Sequence, residues 1–207
     1  MPRKPLFIAI DGPDLTGKST VAHLLLNRSQ EPCHLYNNPG GTPLGHTIRK
    51  LVKDATIKMD PLTVFYLFAA NHSDLAHIIK RKLDSGVTVI VDRWWPSTYT
   101  YQGLSGVSLH HVVDVIEQFE AIIKPDFMFY LRCTNEVAQQ RAKNQSREND
   151  VAKDRFEEKG WEFRQKLLEL YDKLALMDHM IRIDTDDLAP GDVTNQIVME
   201  LSRGKTL

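Results

Sequence analysis

The residues most able to do chemistry come early in the chain: Gly12-Pro13-Asp14-Leu15-Thr16-Gly17-Lys18-Ser19-Thr20. Glycines at 12 and 17 permit backbone turns that a β-carbon obstructs. The loop amides and the start of a following helix can then point at an anion. Lys18 adds a mobile cation for the terminal phosphates of a nucleotide. Ser19 adds a hydroxyl for Mg²⁺. The whole stretch, Gly12 to Thr20, is therefore expected to hold a nucleotide such as ATP.

A second set lies downstream. Asp92-Arg93 ends the β-branched run Val87-Thr88-Val89-Ile90-Val91. A charged pair at the carboxyl end of a buried strand is poorly explained by stability and points to a ligand or a partner charge. Trp94 to Gly103 follows, rich in aromatics and hydroxyls, with Ser97, Thr98, Tyr101 and Gln102. It reads either as a wall for a base and sugar or as an apolar loop packed beneath the domain. Phe68, Asn71 and His72 fall at i, i+3 and i+4 of a helical pattern and share a face. Core packing is the competing reading for Phe68, and a structural role for His72. Segment 141–155 is the most charged and least apolar, with Arg141, Lys143, Arg147, Lys153 and Arg155. It is either a solvated loop or a lid that carries cations over phosphates.

The elements that must position these groups alternate. Leu6-Phe7-Ile8-Ala9-Ile10 is a short apolar run that reads as a buried parallel strand before the glycine loop. Thr20 to Leu26 continues as a helix. Cys33 to Tyr36 is a second strand, ended by the turn-rich Asn37-Asn38-Pro39-Gly40-Gly41-Thr42-Pro43. A helix from 42 or 43 to about 54 carries Arg49. Asp60-Pro61 starts a helix to about 83. Strands follow at 87–91, 127–131 and 180–184, with helices at 109–123, 135–140, 156–176 and 192–203. Five strand–helix alternations predict an α/β fold: three layers, with a five-stranded parallel sheet covered on both faces by right-handed crossovers. Open sheets of this kind bind ligands at the carboxyl ends of their strands.

Composition sets the outer limits. The 207 residues suit a single α/β domain, 1–207, with a lid at about 141–157. A formal net charge of −1 gives no global basic field, so nucleic acid is not expected as a partner. The two cysteines, Cys33 and Cys133, lie in or beside predicted strands and read as reduced core thiols. No run approaches a membrane span, and the first strand begins too early to leave room for a signal peptide. The expected location is cytoplasmic.

Taken together, these stretches resemble the thymidylate kinases over almost the whole chain. The resemblance rests on Ile10-Asp11-Gly12 with Asp14 and Gly17-Lys18-Ser19-Thr20, on Asn38-Pro39-Gly40-Gly41-Thr42 with Arg49, and on Phe68-Ala69-Ala70-Asn71. It continues in Asp92-Arg93-Trp94 with Ser97 and Tyr101-Gln102-Gly103, in Pro125-Asp126, and in Asp154-Arg155-Phe156-Glu157. The phosphate loop is shared by many families, whereas the set is specific. It implies transfer of the γ-phosphoryl group of ATP to a deoxynucleoside monophosphate, with Mg²⁺, by a homodimer. On this analogy Lys18, Arg93 and Asp14 are catalytic, Asp14 by contacting the sugar 3′-hydroxyl, and Arg49 and Arg93 hold the acceptor phosphate. Phe68 stacks on the base, Tyr101 crowds the 2′ position, and Thr98 and Gln102 complete the wall. Asp92 joins Ser19 in organising Mg²⁺.

The departures from the family pattern fall on base recognition and on the catalytic cations. Asn37-Asn38 replaces the usual Arg-Glu before the Pro-Gly-Gly turn, and His72 replaces the arginine that reads the thymine carbonyl. With Leu15 where some members have a loop arginine, the resemblance assigns catalytic cations to the lid: Arg147 and Arg155, with Arg141 at its base against ATP. The base preference is then open to dTMP or a related, modified pyrimidine, as in a specialised salvage enzyme. A deoxynucleoside kinase is an alternative that needs no Arg49–Arg93 clamp. A non-catalytic ATP-binding regulator is another, and it has no use for Asp14, Asp92 and Arg93.

Overall fold

The computed structural model describes residues 4–148 and 159–203. Five strands form one parallel sheet: β1 (Phe7–Asp11), β2 (Cys33–Asn37), β3 (Thr88–Asp92), β4 (Phe127–Arg132) and β5 (Ile181–Asp184), in the order β2-β3-β1-β4-β5. The described helices are α1 (Lys18–Arg28), α2 (Pro43–Lys53), α3 (Pro61–Asp84), α4 (Trp95–Leu104), α5 (Leu109–Glu120), α6 (Asn135–Glu148), α7 (Gly160–Met177) and α8 (Pro190–Arg203). None of them is long and apolar enough to cross a membrane.

The three layers follow from strand periodicity. Alternate residues of a strand face opposite sides of its sheet. Phe7 and Ala9 of β1 join Val89, Val91 and Tyr130 in a core with α3, α4, α5 and α7. Ile8 and Ile10 join Ile90, Phe129 and Leu131 in a second core beneath α1 and α8. All five β1 residues are buried, as a central strand covered on both faces requires. A smaller cluster of Ile48, Val52 and Val64, with Phe68 packed against it, fixes α2 on α3.

Caps set the entries to the helices that carry site residues. The Thr42 hydroxyl accepts from the Gly45 amide at the start of α2, 2.9 Å away. Asp60 does the same for Leu62 at the start of α3, at 2.9 Å. The register pairs Ile10 with Asp92 and Asn37 with Asp92, so the ends of β1, β2 and β3 lie level. The phosphate loop, the Asn38–Thr42 turn and Arg93 therefore leave the sheet on one edge.

Two expectations need correction. The stretch after Arg93, read as a wall or loop, is helix α4 from Trp95 to Leu104. Its aromatic and β-branched residues are weak helix formers in isolation, and burial against the sheet overrides that preference. Of the Trp pair, Trp94 is 1% and Trp95 8% exposed, so both belong to the core, and Trp94 also lines the cavity described below. The helix expected at 135–140 runs on to Glu148, so the first half of the expected lid is helical. Its polar composition hid the continuation, because no apolar stripe marked it. Arg155 lies outside the described residues, and so does the side chain of Arg147.

Candidate active site

The loop between β1 and α1 is built from its carbonyls outward. Gly12 has φ 139°, and a β-carbon there would fall 2.1 Å from the Leu131 carbonyl oxygen. Gly17 has φ 90° at the N-cap of α1. Leu15 adopts the left-handed region at φ 69° without being glycine. Five consecutive carbonyls accept hydrogen bonds from side chains. Arg93 Nη1 donates to Gly12 O at 3.1 Å, and Lys18 Nζ to Pro13 O at 2.6 Å. Arg164 Nη2 reaches Asp14 O at 3.4 Å, Arg141 Nη1 reaches Leu15 O at 2.9 Å, and Thr185 Oγ1 reaches Thr16 O at 3.3 Å. With the carbonyl edge occupied, the amide edge is left to face an anion. Gly12→Ala is expected to leave little folded, active protein, because a side chain at that φ must displace the β4 backbone; thermal melting and soluble yield measure it.

Arg164 and Thr185 were not singled out in the sequence. Arg164 shares the buried face of α7 with Leu167, Leu168 and Tyr171. A charged residue at an apolar helical position is the signal that could have found it. It is 6% exposed and bonds Asn135 Oδ1 at 2.6 Å and the Cys133 carbonyl at 3.2 Å, with no carboxylate partner among the described residues. An uncompensated buried cation beneath a phosphate loop favours an anion above it. Arg164→Met is expected to weaken ATP binding about three- to tenfold, roughly 0.7–1.4 kcal/mol, as calorimetry would read.

Asp11 locks the loop to the rest of the site. Its fully buried carboxylate accepts from the Gly12 and Trp94 amides at 2.7 and 2.8 Å, from Ser97 Oγ at 2.6 Å and from Tyr171 Oη at 2.9 Å. This fixes the start of α4 and, with it, Arg93, which has φ 74°. Arg93 also donates to Ser97 Oγ at 2.9 Å and pairs with Asp14 through Nη2. Tyr101 Oη donates to the other Asp14 oxygen at 2.7 Å. Burial works to raise the Asp14 pKa, but the charges of Arg93 and Lys18 outweigh it and hold the carboxyl at about 2. Burial, with the Arg93 charge adding to it, lowers the Lys18 ammonium to about 8 against the pull of Asp14, Asp92 and Asp11.

Beyond Arg93 opens a cavity lined by Asp14, Arg49, Phe68, His72, Arg93, Thr98, Tyr101 and Gln102. All eight residues expected to bind the acceptor thus meet in one place. Lys53, which the sequence did not single out, adds a further cation to the wall. Arg49 faces in from α2, with Nη1 on Pro39 O at 3.0 Å. Arg141 stands apart from this cavity. It is anchored on the loop and on Thr185, whose carbonyl accepts from Nη2 at 2.6 Å.

Ser19 and Asp92 meet on the donor side, with Ser19 Oγ donating to Asp92 Oδ2 at 2.5 Å. The second Asp92 oxygen is buried without a hydrogen-bond partner among the described residues. A hydroxyl beside a carboxylate with a spare buried oxygen is a hard-oxygen donor set that suits Mg²⁺.

A loop that grips one phosphate chain, set across from cations placed for a second, defines the class as a phosphate-loop nucleotide kinase. Residues 10–197 match the family model for thymidylate kinase. The chain is 35% identical over 175 residues to the thymidylate kinase of Fervidobacterium nodosum, covering 82% of this chain and 85% of that one. It is 33% identical over 207 residues to that of Chlorobium chlorochromatii, with 94% and 92% covered. It is 31% identical over 220 residues to a Pseudomonas putida thymidylate kinase, with 96% and 99% covered. The chain belongs to the thymidylate kinase family.

Proposed function

We propose that this protein transfers the γ-phosphoryl group of ATP to dTMP, giving dTDP. The observation that carries this reading is the convergence of Arg49, Arg93 and Asp14 on one cavity beside Lys18 and the loop. Phosphoryl transfer asks the protein for in-line positioning and charge neutralisation, and little covalent chemistry. The loop amides and Lys18 hold the donor phosphates. Arg93 and Arg49 hold the acceptor phosphate, for which a guanidinium fork is better shaped than an ammonium. Asp14, kept ionised by Arg93, accepts from the sugar hydroxyl. Tyr101 packs at 7% exposure beside Asp14 and closes the 2′ side. Ser19 and Asp92 would hold Mg²⁺, which supplies charge neutralisation between the donor phosphates. Arg147 and Arg155 are proposed as the cations that close over the transferring group.

A homodimer goes with this reading. Leu62 and Tyr66 on α3, and Leu109 and Val113 on α5, are 41, 50, 36 and 37% exposed and offer an apolar face for a second copy. Light scattering at micromolar concentration measures it. A cytoplasmic setting also goes with it, because donor and acceptor are metabolites of that compartment and both cysteines are free thiols.

The test is a panel of dTMP, dUMP, dCMP, dGMP and thymidine with ATP and Mg²⁺. Turnover of dTMP with none of thymidine is expected. Turnover of the nucleoside alone would replace this reading with that of a deoxynucleoside kinase.

A further inference from the structure

Lys53 faces the acceptor cavity from the last turn of α2, one helical turn beyond Arg49. Residues four apart share a face of a helix, and two like charges so placed repel. The dipole of a helix favours cations in its last turn. Lys50, in the same turn, meets that preference from the exposed side. Lys53 is instead half-buried on the cavity wall, where Val52 and Phe68 also stand, and its charge is felt at Asp14. Two cations side by side on the wall of a cavity are better explained by an anion held between them than by stability.

The charges on that wall can be matched to a ligand. Among the described residues that line the cavity, Arg49, Lys53 and Arg93 are cations and Asp14 is an anion. His72 adds no charge. Its nitrogens lie 3.1 Å from the side-chain nitrogen of Asn38 and 2.8 Å from the hydroxyl of Thr98, and burial pushes the imidazole down to about 3. Burial and the Asp14 charge keep the Tyr101 phenol protonated. Asp54 and Asp60, which cap α2 and α3, and Asp74 of α3 are not on the wall. Three cations less one carboxylate leave a formal +2. A phosphate monoester carries two negative charges once its second proton is lost, at about pH 6. Arg49, Arg93 and Asp14 together meet only half of that charge, and Lys53 supplies the rest.

We propose that Lys53 is the third cation of the acceptor-phosphate clamp, matching the cavity to a fully ionised phosphate. This rests on the reading of the cavity as the monophosphate site. The two guanidinium groups fix the orientation of the phosphate. The ammonium, a compact charge on a flexible stem, completes its neutralisation. Selection by charge separates a nucleoside monophosphate from its nucleoside whatever the base.

The test has two arms that do not require turnover. Calorimetry on the full chain is the first. Lys53→Met keeps most of the stem and is expected to weaken dTMP binding about tenfold, with thymidine affinity changed by less than about twofold and ATP affinity held. The affinities of dUMP and dCMP are expected to fall by the same factor, because the base plays no part. Lys53→Arg is expected to restore most of the loss. The second arm follows the ³¹P shift of bound dTMP against pH. In the parent the bound phosphate is expected to take up its proton about one unit or more below its free value of about 6, and in Lys53→Met to return toward that value. Parental dTMP affinity and phosphate titration in a folded Lys53→Met, checked by circular dichroism, would overturn the proposal. So would an equal loss for dTMP and thymidine, which would put Lys53 on the base or sugar. Absence of turnover in a parent that binds dTMP would count against the proposed activity alone, since both arms report on binding.

Discussion

Lys18→Met is expected to lower kcat by about 10²- to 10³-fold while the protein stays folded, because a preorganised charge on the transferring phosphoryl group is removed. The ammonium is 5% exposed and is turned onto the loop, 2.6 Å from Pro13 O and 3.3 Å from Thr16 Oγ1. Those are neutral acceptors, which incoming phosphate oxygens can replace. Stability and activity should part in this variant. The folded-state pKa of Lys18, about 8, lies below its ordinary value of 10.5. The folded chain thus holds this proton less tightly than the unfolded chain. The charge costs stability below about pH 8, and the cost fades as pH rises from there to 10.5. Removing the ammonium is therefore expected to leave the melting temperature at pH 7 equal or higher. In the parent, ATP affinity is expected to fall as pH climbs above 8, where unliganded Lys18 loses its proton before binding. In Lys18→Met that limb should be missing. A folded variant with near-normal kcat would remove Lys18 from the mechanism.

The parts of the site that were legible in the sequence are those where backbone geometry dictates residue type. Gly12 and Gly17 sit where positive φ is required, and the adjacent Lys18-Ser19 has a function that spacing alone fixes. The three central strands β1, β3 and β4 were legible because they are short, largely apolar runs between turn signals, whereas the edge strands β2 and β5 carry His34 and Arg182. What the sequence hid was decided by tertiary contact. Arg164 and Thr185 sit far along the chain from the loop they support; a charge on the apolar face of α7 is the one local mark of Arg164, and Thr185 has none. α4 forms against its own propensities because its aromatic face has a core to enter. His72 shares a helical face with Phe68 and stands where the family has the base-reading arginine. Spacing put it on the correct face, but only the positions of Asn38, on a different element, and Thr98 show what its nitrogens do.

Arg93→Met is expected to lower kcat/KM for dTMP by about 10³-fold or more, with ATP affinity changed by no more than about threefold. Arg93 is the residue that ties donor loop to acceptor cavity. One nitrogen of its guanidinium bonds Gly12 O and Ser97 Oγ, at 3.1 and 2.9 Å, and the other pairs with Asp14. Its removal takes away one arm of the phosphate clamp and releases the carboxylate placed for the sugar. Lys18 and the remaining carbonyl caps still hold the donor phosphates, which is why ATP binding persists. Arg93→Lys restores charge without the fork and is expected to recover only part of the loss. The stability cost is about 1–2 kcal/mol, since the Asp14 side chain is 46% exposed and water can take up its charge. The pH dependence shifts in a defined direction. In the parent, Asp14 at about 2 contributes stability above its ordinary value of 3.8, and the contribution is lost as pH falls through 2. Without Arg93 less positive charge faces the Asp14 carboxylate, so its pKa rises and the acid limb of both melting and activity moves upward. If ATP affinity fell while dTMP affinity held, the donor and acceptor assignments would be exchanged.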